Sequence, residues 1–213
     1  MNSEIVPSPH VDIFTFIYST KLWGDDGNQS YMGSSGNGSL PRKNIEYINF
    51  IRKFIIDHAI ESIVDVGCGT FQLGPFIFAD ELASIRYTGY DAYRKLIDSH
   101  IKTYNDRVNF TFIHLDACHN PDKLQSADLC IIKDVLQHWT LSEIYSFLDS
   151  ITNSKKFKHI LICNQYGQDR DDLDNDNVHR SHGLSANFLP LKKYKPEILL
   201  HYEDKEVCLI HGS

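Results

Sequence analysis

Four aspartates, at 65, 91, 116 and 134, stand with a pair of glycines, a lysine and a histidine where chemistry is conceivable in this 213-residue chain. The run Ser62-Ile63-Val64-Asp65-Val66-Gly67-Cys68-Gly69-Thr70 reads as a short apolar strand entering a Gly-x-Gly turn. Glycines there let the backbone bend sharply and approach a ligand without a side chain in the way. Asp91 stands at the carboxyl end of the next expected strand, 86–90, where a carboxylate can accept both hydroxyls of a ribose. Asp116 follows the stretch 109–114, where the amino group of an adenine would arrive. The pattern points to a nucleotide-type cofactor. A dinucleotide fingerprint would need a third glycine three residues after Gly69, and that position is Gln72.

Lys133-Asp134 ends a further strand pattern at 127–132, and His138 lies four residues beyond Asp134. If a helix begins there, both side chains share a face. His138 then suits removal of a proton from a hydroxyl, or is an ordinary packing histidine beside Trp139. Asp134 orients a substrate or caps the next element. His179, with Arg180 and His182, belongs to a polar loop that covers a substrate or is only surface. In the acidic stretch 169–177, Asp172, Asp174 and Asp176 imitate a calcium loop. Asn177 and Gly183 occupy the positions that need glycine and glutamate, so an EF-hand is excluded. A mobile acidic lip or a magnesium site remain the readings, and no metal ligand is assigned.

These residues need a scaffold of alternating elements. Apolar spacing predicts an amphipathic helix over 41–58 with Pro41 in its first turn. A second helix follows Asp91 through Tyr93, Leu96, Ile97, Ile101 and Tyr104. Thr140-x-x-Glu143 is a capping box opening a third. A fifth strand is expected at 158–163, and 197–202 with 205–210 flank Glu203-Asp204 as a terminal hairpin. Such alternation suits a doubly wound sheet.

With Asp65-x-Gly67-x-Gly69, Asp91 and Asp116 in register after three strands, the chain resembles the class I S-adenosylmethionine (SAM) dependent methyltransferases over roughly residues 45 to 210. Trp23-Gly24, the run Gly33-Ser34-Ser35-Gly36-Asn37-Gly38-Ser39, Asp65-x-x-Cys68-Gly69-x-Phe71 and Leu136-Gln137-His138 are similar to a subgroup found in part with glycan-assembly systems, including those of large DNA viruses. The chain departs from that subgroup at Asp25-Asp26, where Gly-Glu-Ser is usual.

The resemblance implies a Rossmann-like α/β fold. Its seven-stranded, mostly parallel sheet would carry an antiparallel C-terminal edge hairpin and helices on both faces. Residues 1–40 would form a lid or helical extension and 41–213 the methyltransferase domain. It implies SAM contacts from Asp65, Gly67, Cys68, Gly69, Asp91, Ala92, Asp116, Ala117 and Lys133, joined by Trp23 and Ser39 of the lid, with S-adenosylhomocysteine as product. The Gly/Ser run at 32–39 is then a lid closing over the methionine part of SAM, Tyr18, Trp23 and Tyr31 helping to exclude water; on composition alone it is a flexible linker. His138, Asp134 and His179 are the catalytic candidates. The expected reaction is O-methylation of a sugar hydroxyl on a glycan, with possible association with or fusion to glycosyltransferases. A small-molecule N- or O-methyltransferase and a non-catalytic SAM-binding scaffold are the alternatives.

The net charge of -7 argues against an extended nucleic-acid footprint, which needs a basic face. Apolar runs are too short for a membrane span, and no signal pattern opens the chain. Five cysteines without metal-type spacing read as reduced core residues, so a cytoplasmic protein, bacterial or host-cell, is expected.

Overall fold

A computed structural model describes residues 9–25, 27, 33–172 and 183–212. After helix α1 (Pro9–Thr20) and helix α2 (Ile45–Asp57), strand β1 (Ser62–Val66) enters the sheet. A short α3 (Gly74–Ile77), β2 (Arg86–Asp91), α4 (Arg94–Thr103), β3 (Phe110–His114) and β4 (Ala127–Lys133) follow. Then come α5 (Leu141–Asn153), β5 (Phe157–Gln165), β6 (Glu197–Tyr202) and β7 (Lys205–His211). The seven strands lie in the order β3-β2-β1-β4-β5-β7-β6. The first five are parallel, and β7 runs antiparallel to both β5 and β6.

Strand periodicity sorts the core into two layers. Ile63, Leu129, Ile131 and Leu161 face α2, which buries Ile51, Phe54 and Ile55 against them. Val64, Cys130, Ile132 and Ile160 face the other way, onto Ile144, Phe147, Leu148 and Ile151 of α5. Apolar residues on both faces of β1 and β4 are what a parallel strand between two helical layers requires. The five cysteines are buried free thiols within these layers.

The order reverses between β1 and β4, and ligands in open α/β sheets sit at such a switch point, outside the strands' carboxyl ends. Asp65, Asp91 and Lys133 lie at the carboxyl ends of three of these strands.

Two local expectations are corrected. The helix predicted from 41 is a 3-10 turn, Pro41–Lys43, followed by α2 from Ile45. Asn44 divides them: its Nδ2 donates to the carbonyls of Gly38 and Leu40, each at 2.9 Å, and its Oδ1 accepts from Tyr202 Oη at 3.1 Å. The helix supposed to place Asp134 and His138 on one face is also absent. Asp134 adopts a left-handed φ of 58°, its N–H extends the β4–β5 pairing to the carbonyl of Cys163 at 2.8 Å, and only the single turn Leu136–His138 follows. The capping box of α5 is formed as the sequence predicts, Thr140 N donating to Glu143 Oε2 at 2.9 Å.

Candidate active site

A cavity of about 1040 Å³ opens over the switch point. Its floor is the turn after β1. Gly67 and Gly69 have φ of 72° and 52°, a region that a β-carbon strains. A Cβ on Gly67 would meet Val135 Cγ2 at 2.4 Å, and one on Gly69 would meet Ser35 Oγ at 2.9 Å. The second contact shows that the Gly/Ser run closes on the turn, with Ser35 Oγ accepting from Thr70 N at 3.0 Å. Cys68 also lines the cavity.

Asp91 is buried, and its carboxylate accepts from Gly69 N at 3.1 Å and Tyr93 N at 2.9 Å. The acid thus braces the glycine turn while facing the cavity. Burial raises its pKa to about 6, against the lowering effect of these amides and of the Tyr18 hydroxyl. Asp65 behaves alike: burial raises it to about 6 although Tyr87 Oη donates to it at 2.7 Å. Ala92 and Ala117 add small apolar walls. Asp116 accepts from Cys118 N at 3.0 Å and faces His119 Nδ1 at 2.9 Å. Burial opposes its charge, but His10 and His119 outweigh this and hold it below the usual carboxylate range.

At the other end lie Lys133, Asp134 and His138. Lys133 Nζ donates to Asp134 Oδ2 at 2.5 Å, and Lys205 of β7 pairs with the second oxygen. Burial alone would raise Asp134, but the two ammonium groups dominate and hold it far below the usual range. Lys133 is raised in turn, since Asp134 and Asp65 outweigh its desolvation. His138 stacks on Trp23 with ring centroids 4.7 Å apart and meets Phe14 edge-on at 6.1 Å. Ser39 borders the same space, its hydroxyl donating to the carbonyl of Gly36 at 2.7 Å. The cavity gathers the catalytic and cofactor candidates except His179, which lies outside the described residues along with Tyr31, Arg180, His182, Asp174 and Asp176; Asp172 is off its lining, its carboxylate accepting from Tyr145 Oη at 2.6 Å.

Two residues went unnoticed in the sequence. Thr70 is buried on the cavity wall, and its hydroxyl has no protein partner among the described residues. The signal was its place directly after Gly69. His10 reaches the Asp116 end from α1, and nothing in its local sequence announced that.

A nucleotide-type cofactor fits this donor set. Buried carboxylates with no lysine hydrogen-bonded to them among the described residues, a threonine hydroxyl without a partner there and a glycine turn without β-carbons face one cavity. A family model described as a methyltransferase domain matches residues 64–156. That stretch runs from within β1 through α5 to the residue before β5. No curated protein matches by sequence. Among solved structures, the methyltransferase domain of bacterial CtHen1 superposes with a TM-score of 0.61 at 12% identity, covering 79% of this chain and 98% of that one. NodS, an N-methyltransferase from Bradyrhizobium japonicum solved with S-adenosylhomocysteine, gives 0.58 at 12% identity, covering 88% and 89%. An O-methyltransferase family protein from Burkholderia thailandensis gives 0.59 at 12% identity, covering 81% of this chain and 57% of that one. At such identities the likeness establishes the fold. Together with the matched domain it supports a SAM-dependent methyltransferase, with SAM as the cofactor. Among the described residues no helix is long and apolar enough to cross a membrane.

Proposed function

We propose that the protein transfers the methyl group of SAM to a hydroxyl of a small polar acceptor, a sugar of a glycan being the best fit, with His138 taking the proton. The carrying observation is that one cavity joins the glycine turn and Asp91 to His138, with further polar room toward Gln165, Asp204 and Lys205. SAM supplies an already activated methyl group, so the protein's task is binding, alignment and management of one proton.

Asp91 would accept the ribose hydroxyls, Asp116 would meet the adenine side, and the turn at Gly67 to Gly69 would lie along the body of the cofactor. Asp65, buried without a lysine bonded to it, suits a cationic group of the ligand. Trp23 and Phe14 pack on the His138 ring and fix its plane. Asp134 is a poor base while two lysines hold its charge, so its role is to position Lys133 and Lys205 beside the acceptor. The acidic balance of the chain and the resemblance to glycan-assembly modules favour a sugar over a nucleic acid.

Products formed from isotope-labelled SAM with a panel of sugars, glycans, nucleotides and amines test this by mass spectrometry. The label is expected on a sugar oxygen. A positioned base contributes about 10²- to 10⁴-fold, so His138→Ala is expected to lose turnover in that range with nearly unchanged SAM affinity. Label on nitrogen refutes the hydroxyl acceptor, and binding of SAM without turnover on any acceptor favours a scaffold.

A further inference from the structure

The loop after β3 and the first turn of α1 bring together four side chains of which only Asp116 has a place in the SAM reading. Donor atoms of His10, Asp116, Cys118 and His119 all lie within 4.8 Å of one another. Zinc takes two imidazoles, a thiolate and a carboxylate at about 2.0 to 2.3 Å, so donors this close need only small side-chain movements to converge on one ion. The arrangement of the rings is directional. His10 Nδ1 and His119 Nδ1 face Asp116 at 3.7 Å and 2.9 Å, whereas their Nε2 atoms face Glu143 Oε1 at 3.2 Å and 3.5 Å. Glu143 is itself fixed, since its other oxygen closes the capping box with Thr140. A carboxylate that holds the far nitrogens of two histidines while the near nitrogens converge is the outer shell of many metal sites. The ring of His119 is partly exposed, which gives an ion a way in, while His10, Asp116 and Cys118 are buried.

We propose that His10, Asp116, Cys118 and His119 form a zinc-type cation site that fastens α1 to the loop after β3, with Glu143 orienting both imidazoles. Binding replaces the Cys118 S–H bond with an S–metal bond and releases the thiol proton to solvent. The mixed nitrogen, sulfur and oxygen donors select zinc or cobalt(II) over magnesium or calcium, which prefer oxygen alone. The site rests on its own residues and goes beyond the methyltransferase reading. Asp116 also belongs to the cofactor cavity, so the test is run on the protein without cofactor.

Metal-stripped protein is titrated with cobalt(II) and, in competition with a chromophoric chelator, with zinc. One equivalent is expected to bind, with the intense visible bands of tetrahedral cobalt and a thiolate-to-cobalt band in the near ultraviolet. Cys118→Ser is expected to lose the ultraviolet band, and His10→Ala and His119→Ala to weaken zinc by more than tenfold. Glu143→Gln retains a capping-box residue and removes the charge, so about a 10- to 100-fold loss is expected there. Zinc should also raise the melting temperature of the parent protein and not that of His119→Ala, whose partly exposed ring makes the substitution tolerable to the fold. Binding below one equivalent, a spectrum without the thiolate band, or parental affinity in both histidine variants overturns the site. None of these outcomes depends on methyl transfer.

Discussion

Asp65 and Asp134 stand at the ends of neighbouring strands, β1 and β4, border the same cavity, and have opposite electrostatics. Burial lifts Asp65 to about 6, against the Tyr87 hydroxyl bonded to it and the weaker through-space pull of Lys133, which makes no hydrogen bond to it among the described residues. Asp134 is held far below the usual range by Lys133 and Lys205. Asp91 sides with Asp65, braced by amides but without a bonded lysine. One end of the cavity thus keeps carboxylates whose charge is not yet matched, and the other has matched its own. A ligand bringing hydroxyl donors or a positive charge gains most at the first end. The second end is a finished structural pair around which an acceptor can be placed.

Breaking the finished pair should have the largest effect. Asp134→Asn leaves two nearly buried ammonium groups without their shared partner. Breaking a buried pair costs about 3 to 5 kcal/mol. Because the Asp134 side chain retains 23% exposure, about 3 kcal/mol is expected, read as a lower denaturant midpoint. A loss under about 1 kcal/mol would mean that water already screens the pair, and the contrast with Asp65 would collapse.

Next in size is the loss of the unmatched acid proposed to serve the ribose. Charged hydrogen bonds are worth about 1.5 to 3 kcal/mol each, so Asp91→Asn should weaken SAM by at least tenfold in calorimetry. Unchanged affinity in a folded variant would remove Asp91 from the cofactor site. Gly69→Val belongs with it, now for a reason visible only in three dimensions. Its side chain would strike Ser35 as well as resist the positive φ, so the lid and the cofactor should be lost together.

The comparison also fixes a sign with pH. Asp65 and Asp91 ionise near pH 6 in the folded chain and near 3.9 when unfolded. Their contribution to stability is therefore complete below about pH 4 and is lost as pH rises through about 6. Asp134 contributes in the opposite sense, present at neutral pH and lost only in strong acid. Asp65→Asn should then flatten the fall in stability of the cofactor-free protein between pH 4 and 7. Over the same interval the affinity of the parent protein for SAM should rise, as Asp91 ionises to accept hydroxyl donors. A stability profile in Asp65→Asn as steep as the parent's would assign the slope to other groups.

Legibility in the sequence followed the same division. The proposed cofactor end is local: strand, acid, glycine turn and the next acid recur at fixed places, so spacing alone could name Asp65, Gly67, Gly69 and Asp91, which line one cavity. The far end is assembled from distant pieces. Lys205 comes from a strand 71 residues beyond Asp134, and no periodicity announces it. Asn44 breaks the predicted helix through Tyr202, 158 residues away. His138 lines the cavity, but the helix expected to carry it there does not form, because the β4–β5 pairing continues through Asp134. Patterns of 2 and 3.6 residues reveal elements, whereas a side chain's role at an element's end depends on which partner the topology delivers.

Thr70 offers the smallest and most discriminating test. Its hydroxyl is buried at the unmatched end without a partner among the described residues, a condition that costs the cofactor-free protein something. If the hydroxyl is held for the cofactor, Thr70→Val should change two measurements in opposite directions. The shape is nearly kept, so stability without cofactor should stay level or rise slightly. SAM affinity should fall by the worth of one neutral hydrogen bond, about 0.5 to 1.5 kcal/mol, or roughly two- to tenfold. A general packing defect would lower both together. A variant that loses stability yet binds SAM as the parent does would place the hydroxyl in the fold's own hydrogen bonding, and the unmatched end would then consist of its carboxylates alone.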